Sequence, residues 1–261
     1  MKRTLDRRGL RSAAACALLI AALLLLIPAL RGSLTELDVI CAALKKANLA
    51  AALLCAAGLV FRPKMKPENF FTLAAVAFGL CYVFAIVPLS SPDEFQHYRI
   101  ALTQSSRLLT GDCFADAHYF DFRGLESHVN SPDSLLTFFR GLGGETLEGW
   151  SMAFPACDTT YPIQYYPQTL MFAIGQSLKL NRLWLFLLGD LVDLALYVLL
   201  VRMAIIMIPR GKLPMTLCAL VPMALQQASS LSCDAFIIGM SFLTIAMMVR
   251  CIDGKGRLTL R

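Results

Sequence analysis

The stretch Ser91-Pro92-Asp93-Glu94-Phe95-Gln96-His97-Tyr98-Arg99 gathers two carboxylates, an imidazole and a guanidinium. Proline suits the first turn of a helix. Asp93 and Glu94 then fall where the positive end of the helix favours negative charge. Asp93 and His97 are four residues apart and share a face. A carboxylate beside an imidazole can serve as a general base or contact a phosphate. The same residues also suit an ordinary capped helix at a membrane surface. A second group is Ser229-Ser230-Leu231-Ser232-Cys233-Asp234. Asp234 stands among apolar residues, where an ionisable group is costly and points to function. Serines before a helix serve equally well as N-caps. Third, Asp190 and Asp193 are three apart and share a helix face, with Arg202 further along. Helix packing is the role expected of the two aspartates, and Arg202 is expected to snorkel toward a membrane surface. His118 and His128 are irregularly spaced among acids and read as solvated loop histidines.

These groups are set among long apolar blocks. Of the 261 residues 57% are hydrophobic and 16% charged, and the mean hydropathy is +0.62. An ordinary soluble domain is about half apolar and about a quarter charged. The blocks leave no polar stripe for a water-facing helix, and several approach the roughly 20 apolar residues that a spanning helix needs. Six spans are expected: Ala13–Leu30, Ala47–Phe61, Phe70–Leu89, Leu183–Ile208, Leu213–Ala228 and Ala235–Val249. The first follows Lys2, Arg3, Arg7, Arg8 and Arg11. It is longer than the apolar core of a signal peptide, about 7–15 residues, so a retained helix is expected.

Basic residues collect on the cytoplasmic side. That rule puts the N-terminus inside, together with Arg62, Lys64 and Lys66, the turn at Arg210 and Lys212, and the basic C-terminus. The loop Ser90–Pro162 is then external. It carries four arginines against ten acids, a net charge of −6 in a chain of +6. This topology leaves no room for Ile163–Leu178 as a full span. Its tyrosine-rich start favours a helix in the outer interface. Asp93 and Asp234 fall on the same face of the membrane. Cys113 and Cys157 share the external loop, and their spacing leaves pairing open. No zinc spacing, internal repeat, phosphate-binding glycine loop or basic–aromatic patch is present, so nucleic acid is not an expected partner.

Pro92-Asp93-Glu94 with His97, after an early span, resembles the P-D-E-x-x-H signature of the domain-of-unknown-function 2142 family of predicted bacterial membrane proteins. Tyr161-Pro162-Ile163-Gln164-Tyr165-Tyr166-Pro167-Gln168 resembles its Y-P-x-x-Y-x-P segment, and Leu220–Asp234 its L-P-M…Q…S-x-S-x-D segment. The resemblance covers about 70–250. It departs from the family in having two apolar segments before the P-D-E motif, and in stopping where relatives continue through further spans.

The resemblance implies an architecture similar to GT-C glycosyltransferases: an all-α polytopic helix bundle with one large external loop. Its divisions would be N-terminal transmembrane segments over 1–68, a membrane domain over 69–250 containing the loop 90–162, and a cytoplasmic tail over 251–261. The implied activity is sugar transfer from a polyprenyl-phosphate donor to a cell-envelope glycan or lipid, by such an enzyme or the N-terminal part of one. The implied place is the external face of the bacterial plasma membrane. Asp93 would be the base, with Glu94 assisting or holding a divalent cation. His97, Arg99, Tyr165 and Asp234 would bind substrate. The alternatives are a non-enzymatic membrane subunit or transport component for envelope polymers, or an inactive fragment. A transporter calls for paired polar residues at mid-membrane, and few are visible in the sequence.

Overall fold

The structure is a computed structural model that describes residues 37–61, 65–112, 131–143 and 162–253. Among these every regular element is helical. Helix α1 is Leu37–Phe61, α2 Pro67–Ala85, α3 Glu94–Thr110 and α4 Pro132–Leu142. A 3₁₀ turn, Pro162–Tyr165, leads into α5, Tyr166–Ser177. Then follow α6 Arg182–Met207, α7 Lys212–Ala219, α8 Pro222–Ala228 and α9 Asp234–Ile252. Helices α1, α2, α6 and α9 are long and apolar enough to cross a bilayer. The chain is an all-α, polytopic membrane bundle. The expected first span, Ala13–Leu30, lies outside the described residues, as do Cys113, Cys157, His118 and His128.

Local chemistry sets the helix ends. Pro67 opens α2 and Pro132 opens α4, at positions whose N–H has no helical partner to lose. Ser131 accepts the Ser134 N–H at 3.1 Å and Asn181 accepts the Trp184 N–H at 3.0 Å, capping α4 and α6. Gly111 closes α3 in the left-handed conformation that glycine adopts without strain.

Three expectations meet the structure at their edges. Helix α1 begins ten residues before the apolar block Ala47–Phe61 and takes in the exposed Lys45 and Lys46. Lysine is a good helix former and its long stem lies along apolar surface, so charge ended the apolar run without ending the helix. Leu213–Ala228, expected as one span, is instead divided into α7 and α8. Pro222 disfavours helical backbone in the residue before it, and Val221 is extended, with φ −59° and ψ 133°. The break frees the Ala219 carbonyl, and the buried Tyr197 hydroxyl donates to it at 2.7 Å. That bond spares the cost of an unsatisfied backbone group inside a bilayer. Finally, α5 has 12 residues, about 18 Å of helix at 1.5 Å per residue. That falls short of a hydrocarbon core about 30 Å thick, so α5 is not a full span.

Helix α6 is the hub. Of its apolar stretch 56% is buried, against 17% for α1 and α9, and α2, α4, α5, α7, α8 and α9 all pack on it. Its leucines fit onto glycines of its neighbours. A Cβ built on Gly79 of α2 would lie 2.4 Å from Leu194, one on Gly175 of α5 2.3 Å from Leu185, and one on Gly239 of α9 2.8 Å from Leu200. Small residues permit such close helix approach where lipid supplies no hydrophobic drive. Helix α3, within the expected external loop, folds back on α5 and α6. Its Tyr98 ring stacks on Phe186 with centroids 5.4 Å apart and tilts against Phe172 at 5.3 Å. The outward faces remain apolar: Leu49 and Leu53 on α1, Leu199 on α6, and Met248 on α9 are each more than half exposed. These are the lipid-facing surfaces.

Gly79→Leu should overpack the α2–α6 crossing and destabilise the protein by about 1–3 kcal/mol. Ala195→Leu, on the exposed face of α6, should be close to neutral. Thermal unfolding of both variants in the same detergent checks this, and equal midpoints would remove the crossing as a determinant of stability.

Candidate functional site

The Ser91–Arg99 segment, the Pro162–Tyr165 turn and the Ser229–Asp234 turn meet where α3 and α9 begin. They are far apart in sequence. Asp93 precedes α3 in the left-handed region, at φ 59° and ψ 3°, and its side chain is exposed. Leu89, four residues earlier, also has positive φ, at 71°. Two such non-glycine residues in five make a tight corner. The corner sends Asp93 outward and Glu94 inward.

The outer layer holds Asp93, His97, Tyr165, Cys233 and Asp234. His97 Nδ1 lies 2.7 Å from the Tyr165 hydroxyl, and the Tyr165 hydroxyl also meets the Cys233 thiol. Burial lowers the His97 pKa, and the charges of Asp234 and Asp93 oppose that shift. Burial, the contact with Cys233 and the charge of Asp234 push the Tyr165 hydroxyl upward, so tyrosine keeps its proton. When that proton goes to Nδ1, the neutral imidazole carries its own on Nε2. Asp234 opens α9. Its Oδ2 accepts from Gln227 Nε2 at 3.2 Å, and its N–H donates to Ser232 Oγ at 3.1 Å. The N-cap residue is Cys233, which makes no side-chain capping bond; Ser232, one residue earlier, only accepts the first helical N–H, while the Asp234 side chain stays with the site. Arg99 engages its own helix: Nη1 donates to Gln96 at 2.9 Å and the guanidinium lies over Phe95.

The inner layer is a knot of buried acids. Glu94 is 2% exposed, and its Oε2 accepts the Ser91 N–H at 3.2 Å. The nearby backbone N–H groups of Ser91, Leu231 and Leu89 favour its ionised form. Burial nevertheless dominates and pushes its pKa up to about 8. Asp193, fully buried on α6, accepts from Gln168 Nε2 at 2.5 Å through Oδ1 and from the Ser232 N–H at 3.2 Å through Oδ2. Gln168 Nε2 also donates to the Ser232 carbonyl at 3.1 Å. Asp190, also buried on α6, has its Oδ1 without a hydrogen-bond partner. Asp193, one of the two aspartates expected to serve helix packing, thus binds the turn that carries Asp234.

Of the candidate residues, Asp93, His97, Tyr165 and Asp234 come together, Glu94 lies beneath them, and Arg99 turns along α3. Gln168 went unnoticed in the sequence. Its signal was an amide on an apolar helix, since a buried amide must find partners. Arg202 reaches the opposite end of the bundle, where Nη1 donates to the Glu68 carbonyl at 3.0 Å and to Thr72 Oγ1 at 2.8 Å. Among the described residues no group of three His, Cys, Asp or Glu side chains is arranged to hold a metal ion.

Residues 136–261 match the model of a family described as predicted membrane protein (DUF2142). No curated protein and no solved structure matches the chain. The matched stretch takes in Tyr165, Gln168, both α6 aspartates and the Ser229–Asp234 turn, and it begins after the Asp93–His97 corner.

Asp193→Ala should leave the Ser232 N–H buried without its acceptor, at a cost of about 1–3 kcal/mol. Ser241→Ala, on the exposed side of α9, should change stability by less than about 0.5 kcal/mol. Denaturation in detergent distinguishes the two, and an unchanged Asp193 variant would mean that the knot does not hold the turn.

Proposed function

We propose that this mouth is the active site of a membrane glycosyltransferase, or of the N-terminal part of one. The enzyme would transfer a sugar from a polyprenyl-phosphate donor to an envelope glycan or lipid. The observation that carries the reading is the meeting of Asp93, His97, Tyr165 and Asp234 from three distant segments at one end of the bundle. A lipid-linked donor brings its reacting carbon to the membrane surface, so a site at the ends of spanning helices matches its chemistry. The charge distribution supports an external mouth in the bacterial plasma membrane with the N-terminus inside.

In this reading the Asp93 carboxylate takes the proton of an acceptor hydroxyl as its oxygen attacks the anomeric carbon. The new glycosidic C–O bond forms, the bond from that carbon to the phosphate oxygen breaks, and polyprenyl phosphate leaves. His97 offers Nε2–H to the departing phosphate, with Tyr165 holding its Nδ1. Asp234 faces the acceptor hydroxyls. Glu94 positions the corner from below. Arg99, bonded to Gln96 and lying over Phe95, runs along α3. No step runs through a cation.

A second reading, a transport or partner subunit for envelope polymers, draws on Asp193. It is the twelfth of the 26 residues of α6 and is paired with Gln168, a mid-helix polar pair of the kind that transporters use.

The test offers radiolabelled polyprenyl-phosphate sugars and envelope acceptors to purified wild-type and Asp93→Asn protein. Loss of a general base should slow transfer by about 10²- to 10⁴-fold. Equal rates would remove Asp93 from the mechanism, and no transfer by folded protein of either kind would favour the subunit reading.

A further inference from the structure

The membrane-length helices do not all stop at one height. Helices α2 and α9 have 19 residues each, about 28 Å of helix. Both end at the mouth, α2 leading into the Asp93 corner and α9 starting at Asp234. Their length alone fills a hydrocarbon core about 30 Å thick. Helix α6 continues past them. Gln168 bonds Asp193 at the level of the mouth, and residues 182–192 lie beyond it, about 16 Å further. Helix α1 continues likewise. Gly58 lies against Leu73 of α2, where an added Cβ would be 3.1 Å from the leucine. Twelve residues from that contact toward the mouth stand Lys46 on α1 and Ala85 on α2. The exposed Lys45 and Lys46 are therefore level with the end of α2. Two ammonium groups belong at headgroup height and are costly among acyl chains. The outer parts of α1 and α6, with α3, α4 and α5, thus form a layer that stands clear of the hydrocarbon. Arg107 is exposed at its far end.

Helix α5 is upright in that layer. Its Gln168 meets Asp193, and its Gly175 lies against Leu185. Seven residues of α5 thus match eight of α6, so the two run side by side and antiparallel. One face of α5 has no cover. Ile163, Tyr166, Leu170, Ile174 and Leu178 are 52–66% exposed. They follow at steps of three or four, which places them in one row, and no charged residue interrupts them. Leu108 and Leu109 of α3 are exposed beside the outer end of the row. They stand one turn past Ser105, which Gln176 of α5 binds at 2.5 Å.

In lipid such a row would be ordinary. In water it marks a contact surface. We propose that α5 pairs with α5 of a second copy of this chain, in parallel, about a two-fold axis along the membrane normal. Copies inserted the same way in one membrane can be related by that two-fold axis alone. About it an upright helix meets its own copy along its whole length, where a flat one would touch at a single crossing. An isologous contact must be complementary to itself, and an uncharged apolar row is. The area is sufficient. Each of the seven side chains still shows on the order of 100 Å², and two copies together pass the roughly 1,000 Å² that a specific interface must clear. Each α5 begins at Tyr165, so the pair holds two mouths beside one axis. The pairing is independent of the chemistry proposed for the mouth.

Sedimentation equilibrium of the full chain in density-matched detergent reads the mass, and photobleaching steps counted in liposomes read it in a bilayer. Both should give dimers. Leu170→Glu should weaken the dimer by about 100-fold or more, because it brings two carboxylates together in a dry contact. Leu199→Ala, on the lipid-facing side of α6, should leave the mass unchanged. Monomeric wild type in liposomes would overturn the proposal, and that measurement needs no variant to fold. A dimer that survives in folded Leu170→Glu protein would also overturn it by putting the contact elsewhere. Leu170→Cys distinguishes the other occupants, with labelling read on its own peptide. Reaction with a lipid-soluble maleimide but not a water-soluble one, in monomeric protein, would assign the row to acyl chains instead.

Discussion

A carboxylate halfway along a membrane-length helix must find its donors inside the protein, and Asp193 finds them in one turn. It is fully buried, and lipid offers it nothing. Ser232 supplies a backbone N–H and Gln168 a side-chain amide. The Gln168 amide also binds the Ser232 carbonyl. Three elements, α5, α6 and the start of α9, are thereby fixed at one point. Had Asp193 been leucine, α6 could rotate or slide with little loss, since lipid tails are as apolar as neighbouring side chains. The polar knot sets the register of the bundle, and leucines seated on glycines then hold the spacing.

The knot explains why Asp234 sits at the mouth at all. The chain leaves α8 and must reverse to start α9 within the five residues 229–233. Such a turn exposes several backbone groups, and inside a membrane protein each needs a partner. Asp193 takes the N–H of Ser232 in the turn, and Glu94 takes the N–H of Ser91 in the facing corner. The carboxyls act here as backbone acceptors first. Whatever reactivity Asp234 has is borrowed from acids that never meet the outside.

Much of this was legible in the sequence. Spanning helices follow from long apolar blocks, and the shortness of α5 was foreseen from the count of basic turns. Of the candidate residues that come together, Asp93, His97 and Asp234 were marked by type and spacing, and Tyr165 by the family resemblance. What stayed hidden is instructive. Lys45 and Lys46 ended an apolar run without ending α1, because hydropathy measures transfer to lipid and helix formation depends on backbone bonding. The break at Val221 was written in Pro222 but outvoted by the apolar count. Adjacent residues Asp93 and Glu94 looked like partners, yet a corner with two positive φ values separates them. Spacing rules assume a regular helix, and the corner is where regularity stops. The pairing of Gln168 with Asp193 spans 25 residues, beyond the reach of any local pattern.

The division into an outer and an inner layer has a chemical logic of its own. In the proposed mechanism a base must be reachable to take a proton from a hydroxyl, and Asp93 is the exposed position of the two. A carboxyl that organises backbone is better placed in a dry interior, where each hydrogen bond is stronger and competing water is absent. Exchanging the two would defeat both. An exposed organiser would lose its bonds to water, and a buried base would be shut away from its substrate and hold its proton too firmly to cycle. The order Asp93-then-Glu94 is therefore not a doubled acid. It is one acid for each side of a wall, and the left-handed corner is the wall.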